Sequence, residues 1–110
     1  MTQIPSVPVS DVHDHAMILD VREPDEWAAG HAPGALHIPL GDLPARMAEL
    51  PDPDAGTIAV TCRGGGRASR AVAWLQQQGF DVANLDGGMK AWHAAGKPLV
   101  ADGEGAPSVK

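Results

Sequence analysis

The chain has 110 residues, 44% of them apolar and 20% charged, with a formal net charge of −6. That length holds one domain with a substantial core, and no second catalytic domain is expected beside it. No apolar run approaches the ~20 residues of a membrane span and no signal-peptide pattern is present at Met1 to Pro5, while the acidic balance argues against nucleic acid or an anionic membrane as partner; a cytoplasmic location is the expectation.

In chain order, Asp11-Val12-His13-Asp14-His15 comes first, a cluster of imidazoles and carboxylates denser than composition predicts. Only alternate positions are available to a metal and no third partner is identifiable, so the segment reads as a solvated loop and no metal is expected. Met17-Ile18-Leu19-Asp20-Val21 is an apolar run of strand length. A helix is predicted at Pro24 to Ala29, a weaker edge strand at Ala35-Leu36-His37-Ile38, and a helix from about Asp42 to Leu50, with Leu43, Met47 and Leu50 on one face and Pro51 as its stop. Pro51 to Gly56 is a dense turn cluster. Thr57-Ile58-Ala59-Val60-Thr61 is a β-branched strand, and beyond three glycines Ala68, Ala71, Val72 and Leu75 recur at helical spacing until Gly79. Val82-Ala83-Asn84-Leu85 is a third central strand. Strands alternating with helices predict an α/β domain over residues 1–100, its sheet mainly parallel with helices on both faces. Ala101 to Lys110 lacks periodicity and reads as a flexible tail. Trp27, Trp74 and Trp92 read as core or half-buried packing.

The one cysteine, Cys62, lies where the second central strand turns into its helix, in Cys62-Arg63-Gly64-Gly65-Gly66-Arg67-Ala68. A single cysteine makes no internal disulfide or CxxC pair and supplies too few thiolates for a structural zinc. Inert burial is the ordinary fate of such a thiol. A core cysteine, however, has no need of Arg-Gly-Gly-Gly-Arg behind it. Three glycines let the backbone curl so that the N–H groups of Gly64, Gly65, Gly66, Arg67 and Ala68 bear on one point, and the helix adds the positive end of its dipole. Gly65 is expected at positive φ. An anion should rest in that cradle, so Cys62 is the candidate nucleophile, favoured as the thiolate, with Arg63 and Arg67 beside it. The glycines also invite comparison with a dinucleotide fingerprint, but its third glycine falls at Ser69 and a thiol and an arginine stand ahead of its first. In open parallel sheets ligands bind beyond the carboxyl ends of the strands, where this loop lies.

Three blocks, in order, resemble the rhodanese (thiosulfate sulfurtransferase) family: Ile18 to Trp27 running on through Gly30-His31-Ala32-Pro33-Gly34-Ala35 to Ile38-Pro39; the Cys62 loop; and Gly79-Phe80-Asp81-Val82, Asn84-Leu85-Asp86-Gly87-Gly88-Met89 and Ala91-Trp92, ending at Gly96-Lys97-Pro98-Leu99. Together they span residues 17 to 99. The resemblance implies a single rhodanese-like domain that needs no cofactor and moves sulfane sulfur through a persulfide on Cys62. The donor is then thiosulfate or a persulfide, the acceptor a thiol, cyanide, or a sulfur-carrier or redox protein; a non-turnover sulfur-relay or partner-docking module is the alternative. Arg63 is expected to meet an incoming sulfonate, and Arg67 either to face the pocket or to brace Asp20 or Glu26. Asp20 and Arg22 match positions that support the loop, and His31 one that holds a turn. Phosphatases and arsenate reductases on related folds carry Cys-x5-Arg with a histidine before the cysteine. Here the spacing is Cys-x4-Arg and Thr61 precedes Cys62, which points to sulfur. Side-chain donors that many single-domain members carry at the positions of Gly64, Gly66 and Ala68 are absent.

Overall fold

β-branched and apolar runs form the middle of the sheet, and short polar-flanked ones form its edges. The computed structural model describes residues 4–110, leaving Met1 to Gln3 of the N-terminal stretch outside it. The strands are β1 (Ser6–Val7), β2 (Ile18–Asp20), β3 (Leu36–His37), β4 (Ile58–Thr61) and β5 (Val82–Leu85). They lie in the order β1-β5-β4-β2-β3, and every pairing is parallel. β4 is central and buried at all four positions, so the residue that follows it leaves the sheet at its middle.

Side chains alternate along the strands and divide the core in two. On one face Leu19, Val60 and Val82 meet Ala68, Ala71, Val72 and Leu75 of α3 (Gly66–Gln77), with Leu43 and Leu50 closing the layer. On the other, Ile18, Ala59 and Leu85 meet Met89 and Trp92 of α4 (Gly88–Ala94). Helices therefore cover both faces of an α/β sheet, as expected. Trp92 is fully enclosed and its indole N–H donates to Pro98 O at 2.8 Å. Burial of each larger apolar side chain here is worth about 1.5–3 kcal/mol.

α1 (Pro24–Ala29) has the predicted bounds. Its start is fixed by a reciprocal cap, in which Glu23 accepts from the Glu26 backbone N–H while the Glu26 carboxylate accepts from that of Glu23. The helix predicted at about Asp42 to Leu50 is instead broken into pieces: α2 covers only Leu43–Arg46, continued by a 3₁₀ turn at Met47–Glu49. Arg46 leaves helical geometry (φ −119°, ψ 17°), and its guanidinium holds Glu49 and the His37 carbonyl. Leu43 and Leu50 are buried as the spacing required. Residues 101–110, expected as a loose tail, run back along α1. Asp102 N–H donates to Ala28 O at 3.0 Å, Ser108 N–H to Ala29 O at 2.9 Å, and Val109 packs on the Trp92 side of the core. Gly30 has no room for a side chain because the backbone of Ser108 crosses it.

The Trp27 ring stacks with His31, centroids 3.6 Å apart, and with His37, centroids 4.7 Å apart. His31 Nδ1 pairs with Trp27 O at 2.8 Å and its backbone pairs with Val100, so it holds the turn after α1. His13 and His15 are exposed, and among the described residues no three His, Cys, Asp or Glu side chains gather closely enough for a metal.

Candidate active site

At the carboxyl end of β4 the chain turns through Cys62 to Gly65 and enters α3. Gly65 sits at φ +116°, ψ −17°, in the left-handed region predicted for it, and caps the helix. That reversal tucks the Cys62 sulfur under the loop. Gly65 N–H donates to Sγ at 3.0 Å and Ala68 N–H at 3.4 Å. These are two members of the predicted ring of donors, and one of them, Ala68, lies in the first turn of a twelve-residue helix, where unsatisfied N–H groups and the dipole favour negative charge.

Cys62 is only 1% exposed, so the sulfur is enclosed rather than standing at a solvent-facing rim; Arg63, Gly64 and Gly66 are the exposed parts of the loop. A side-chain carbon added at Gly64 or Gly66 would meet no atom within 4 Å, so the missing side-chain donors leave open space. Arg63 reaches along the rim, its Nε–H donating to the Lys110 carbonyl at 3.2 Å.

The Arg67 side chain is held by α1. Its guanidinium forms a bidentate pair with Glu26, at 2.6 and 2.8 Å. The Arg67 hydrogen bonds hold the Glu26 carboxyl below its ordinary range, and Glu26 in turn raises the guanidinium, which also feels Cys62. Of the two orientations open in the sequence, the brace to Glu26 is the one adopted.

Asp20 and Arg22 lie behind α1. Both side chains are fully buried and meet at 2.7 Å. Arg22 Nε also donates to both Asp20 oxygens, Nη2 to Gly30 O at 2.7 Å and Nη1 to Glu26 O at 3.3 Å. This is no surface ion pair. It ties β2 to the middle and the C-terminal cap of α1, and α1 carries the carboxylate that holds Arg67, so Asp20, Arg22, Glu26 and Arg67 form one continuous polar path to the start of α3. Removing one partner of such a buried pair costs about 3–5 kcal/mol.

Three further residues hold the loop, and loop chemistry alone did not single them out. Gly88, at φ +61°, opens α4 against the loop, so that Met89 N–H donates to Cys62 O at 2.8 Å and Lys90 N–H to Arg63 O at 3.1 Å. A side chain there would stand 2.5 Å from Cys62 O. The Gly87-Gly88 pair ahead of an apolar Met89 and Trp92 is the signal that marks it. Ser69 and Asn84 meet behind Gly65, at 3.0 Å.

Residues 9–95 match the family described as rhodanese-like domain. A sulfurtransferase of Allochromatium vinosum is 42% identical over 95 residues, which are 84% of this chain and 85% of that protein. Among solved structures, a rhodanese-related protein from Thermoplasma volcanium superposes with a TM-score of 0.78 at 30% identity, over 87% of this chain and 97% of that one. A thiosulfate sulfurtransferase from Pseudomonas aeruginosa gives a TM-score of 0.79 at 32% identity, covering 96% of this chain but 22% of its own.

Proposed function

This chain belongs to the rhodanese-like family and is a rhodanese-type sulfurtransferase, and on that premise we propose that Cys62 carries the sulfur as a persulfide taken from thiosulfate or a related persulfide donor. The observation that carries the reading is the convergence of the Gly65 and Ala68 N–H groups on Cys62 Sγ at the start of α3.

In the first half-reaction the Cys62 thiolate attacks the outer sulfur of thiosulfate. A new S–S bond forms, the old one breaks, and its electron pair leaves with sulfite, so the negative charge moves one atom outward onto the persulfide. In the second half, cyanide or a thiolate attacks that terminal sulfur, and the Cys62 thiolate departs. No proton is transferred at the sulfur in either half, so no general base is needed. The cradle donates hydrogen bonds to an anion in every state, which lowers the barrier by preorganisation. Arg63, exposed and held by one contact to a carbonyl, is free to meet the sulfonate. Arg67 is committed to Glu26, and a cradle without its guanidinium suits sulfane sulfur better than a tetrahedral oxyanion.

The test is turnover with thiosulfate and cyanide, together with the intact mass after thiosulfate alone. Thiocyanate production and a gain of about 32 Da, one sulfur on one thiolate, support the proposal. Absence of both, with protein-borne persulfide accepted from another donor protein, replaces it with the relay module.

A further inference from the structure

Asn84 stands in β5 opposite Val60 of the central strand, on the face that α3 covers. Its Nδ2–H donates to Ser69 Oγ at 3.0 Å, and the Ser69 hydroxyl donates to Gly65 O at 2.9 Å. That carbonyl already accepts the Ser69 backbone N–H at 2.9 Å. Gly65's own N–H completes the path by donating to Cys62 Sγ. The other end of the amide is idle: Asn84 Oδ1 is buried without a hydrogen-bond partner among the described residues. A buried amide oxygen left unpaired is unfavourable beside an apolar side chain of similar size, so packing alone gives no reason for asparagine here.

What the working end of Asn84 does follows from the hinge it supports. Gly65 lacks a Cβ and sits at φ +116°, so the turn between the sulfur and α3 pivots on its backbone. The orientation of its carbonyl, set through Ser69, limits rotation at that hinge. Asn84 fills an acceptor site of the serine hydroxyl, which leaves the hydroxyl hydrogen directed at Gly65 O. A chain of hydrogen bonds aligned in this way also polarises its members.

We propose that Asn84 and Ser69 are positioning residues, which lock the Gly65 turn so that its N–H stays aimed at the Cys62 sulfur. This rests on the reading of Cys62 as the sulfur carrier and deepens it.

The experiment uses Asn84→Leu, which removes the idle oxygen and keeps the branched shape, and Ser69→Ala, which removes the hydroxyl and favours the helix. Asn84→Leu should melt near the wild-type temperature, while Ser69→Ala, which leaves the Asn84 amide without a partner, should melt somewhat below it. Each should lower the rate of Cys62 alkylation by iodoacetamide at neutral pH roughly three- to tenfold, the scale of one weakened hydrogen bond to an anion. The kcat for sulfur transfer from thiosulfate should fall by a similar factor with KM unchanged, because Arg63 and the rim are untouched. The double variant should lose no more than the worse single one, since both act through one path. Variants that alkylate and turn over at the wild-type rate overturn the proposal. So does a loss in Asn84→Leu that tracks a lower melting temperature and is not reproduced by Ser69→Ala, which assigns the asparagine to packing; should Asn84→Leu fail to fold, Ser69→Ala alone decides. Alkylation requires no sulfur transfer, so a wild-type protein inactive with thiosulfate removes the proposed reaction while the alkylation comparison still judges the relay.

Discussion

Replacing Gly88 with alanine tests whether α4 holds the Cys62 loop in place. The new carbon would lie 2.5 Å from Cys62 O and 2.7 Å from Arg63 O, both backbone atoms with no flexible end to swing aside. Reaching an ordinary contact of 3.4 Å requires a shift of about 0.9 Å. A movement of that size strains or breaks the two hydrogen bonds from Met89 and Lys90 N–H to those carbonyls. Each is worth about 1 kcal/mol, and alanine at φ +61° adds about 1–2 kcal/mol. The sum, about 3–4 kcal/mol, should lower the melting temperature by roughly 10–20 °C in a domain of this size. Where the protein remains folded, displacement of the nucleophile by about 1 Å should lower kcat/KM for thiosulfate on the order of 100-fold. Gly64→Ala is the control, because nothing lies within 4 Å of its added carbon; it should melt as wild type does. Differential scanning fluorimetry and the thiocyanate assay read both quantities. A Gly88→Ala protein that melts and turns over like Gly64→Ala refutes the packing argument.

Cys62→Ser should abolish sulfur transfer while the protein stays folded, since a hydroxyl can accept the same two N–H groups; circular dichroism and the intact-mass assay check this. Arg63→Ala should reduce kcat/KM for thiosulfate roughly 10- to 100-fold, the loss of one charge-assisted contact of about 1.5–3 kcal/mol, with smaller losses for donors lacking the sulfonate. Gly65→Ala should be milder than Gly88→Ala: its added carbon would be an ordinary 3.5 Å from Asn84, so the cost is backbone strain of about 1–3 kcal/mol, read by melting temperature. Acid should loosen the Arg67 brace. The folded state holds the Glu26 carboxyl below its unfolded value, so this contribution is present above about pH 4.3 and is lost as the pH falls through the folded value. Glu26→Gln should flatten that limb of the stability profile, and an unchanged acid limb would show that the pair contributes nothing there.

The three central strands and α1 were legible because each is a short run whose composition and caps agree. β1 was not: two residues, Ser6 and Val7, make a strand only because the β5 edge offers hydrogen bonds to them. The broken helix after Asp42 shows the opposite failure. Its apolar spacing was right, but the backbone leaves helical geometry at Arg46, whose guanidinium donates to His37 O on β3, a contact between separate elements that no local spacing encodes. In the site, Cys62 and the Gly65 turn were readable from local chemistry. The enclosure of the sulfur was not, since it depends on how the loop folds under itself. Gly88, Ser69 and Asn84 act through contacts between segments far apart in sequence, and no local pattern encodes which carbonyl a distant helix will meet.

If Cys62 carries the sulfur as proposed, the placement of charge explains how an acidic protein holds an anion there. Arg63 and Arg67 flank Cys62 in sequence, yet Arg67 is neutralised by Glu26, and Arg63 rests on the rim against a carbonyl. The groups in contact with the sulfur are backbone N–H groups, which carry no net charge to be balanced and cannot swing away with a side chain. Such donors are only as good as the turn that aims them. The polar path from Asp20 to Arg67, the α4 amides on the Cys62 and Arg63 carbonyls, and the Asn84–Ser69 contact hold that turn from three directions. The guanidinium charges of Arg22 and Arg67 therefore serve to fix geometry, and the groups that touch the sulfur are the fixed dipoles of the loop and α3.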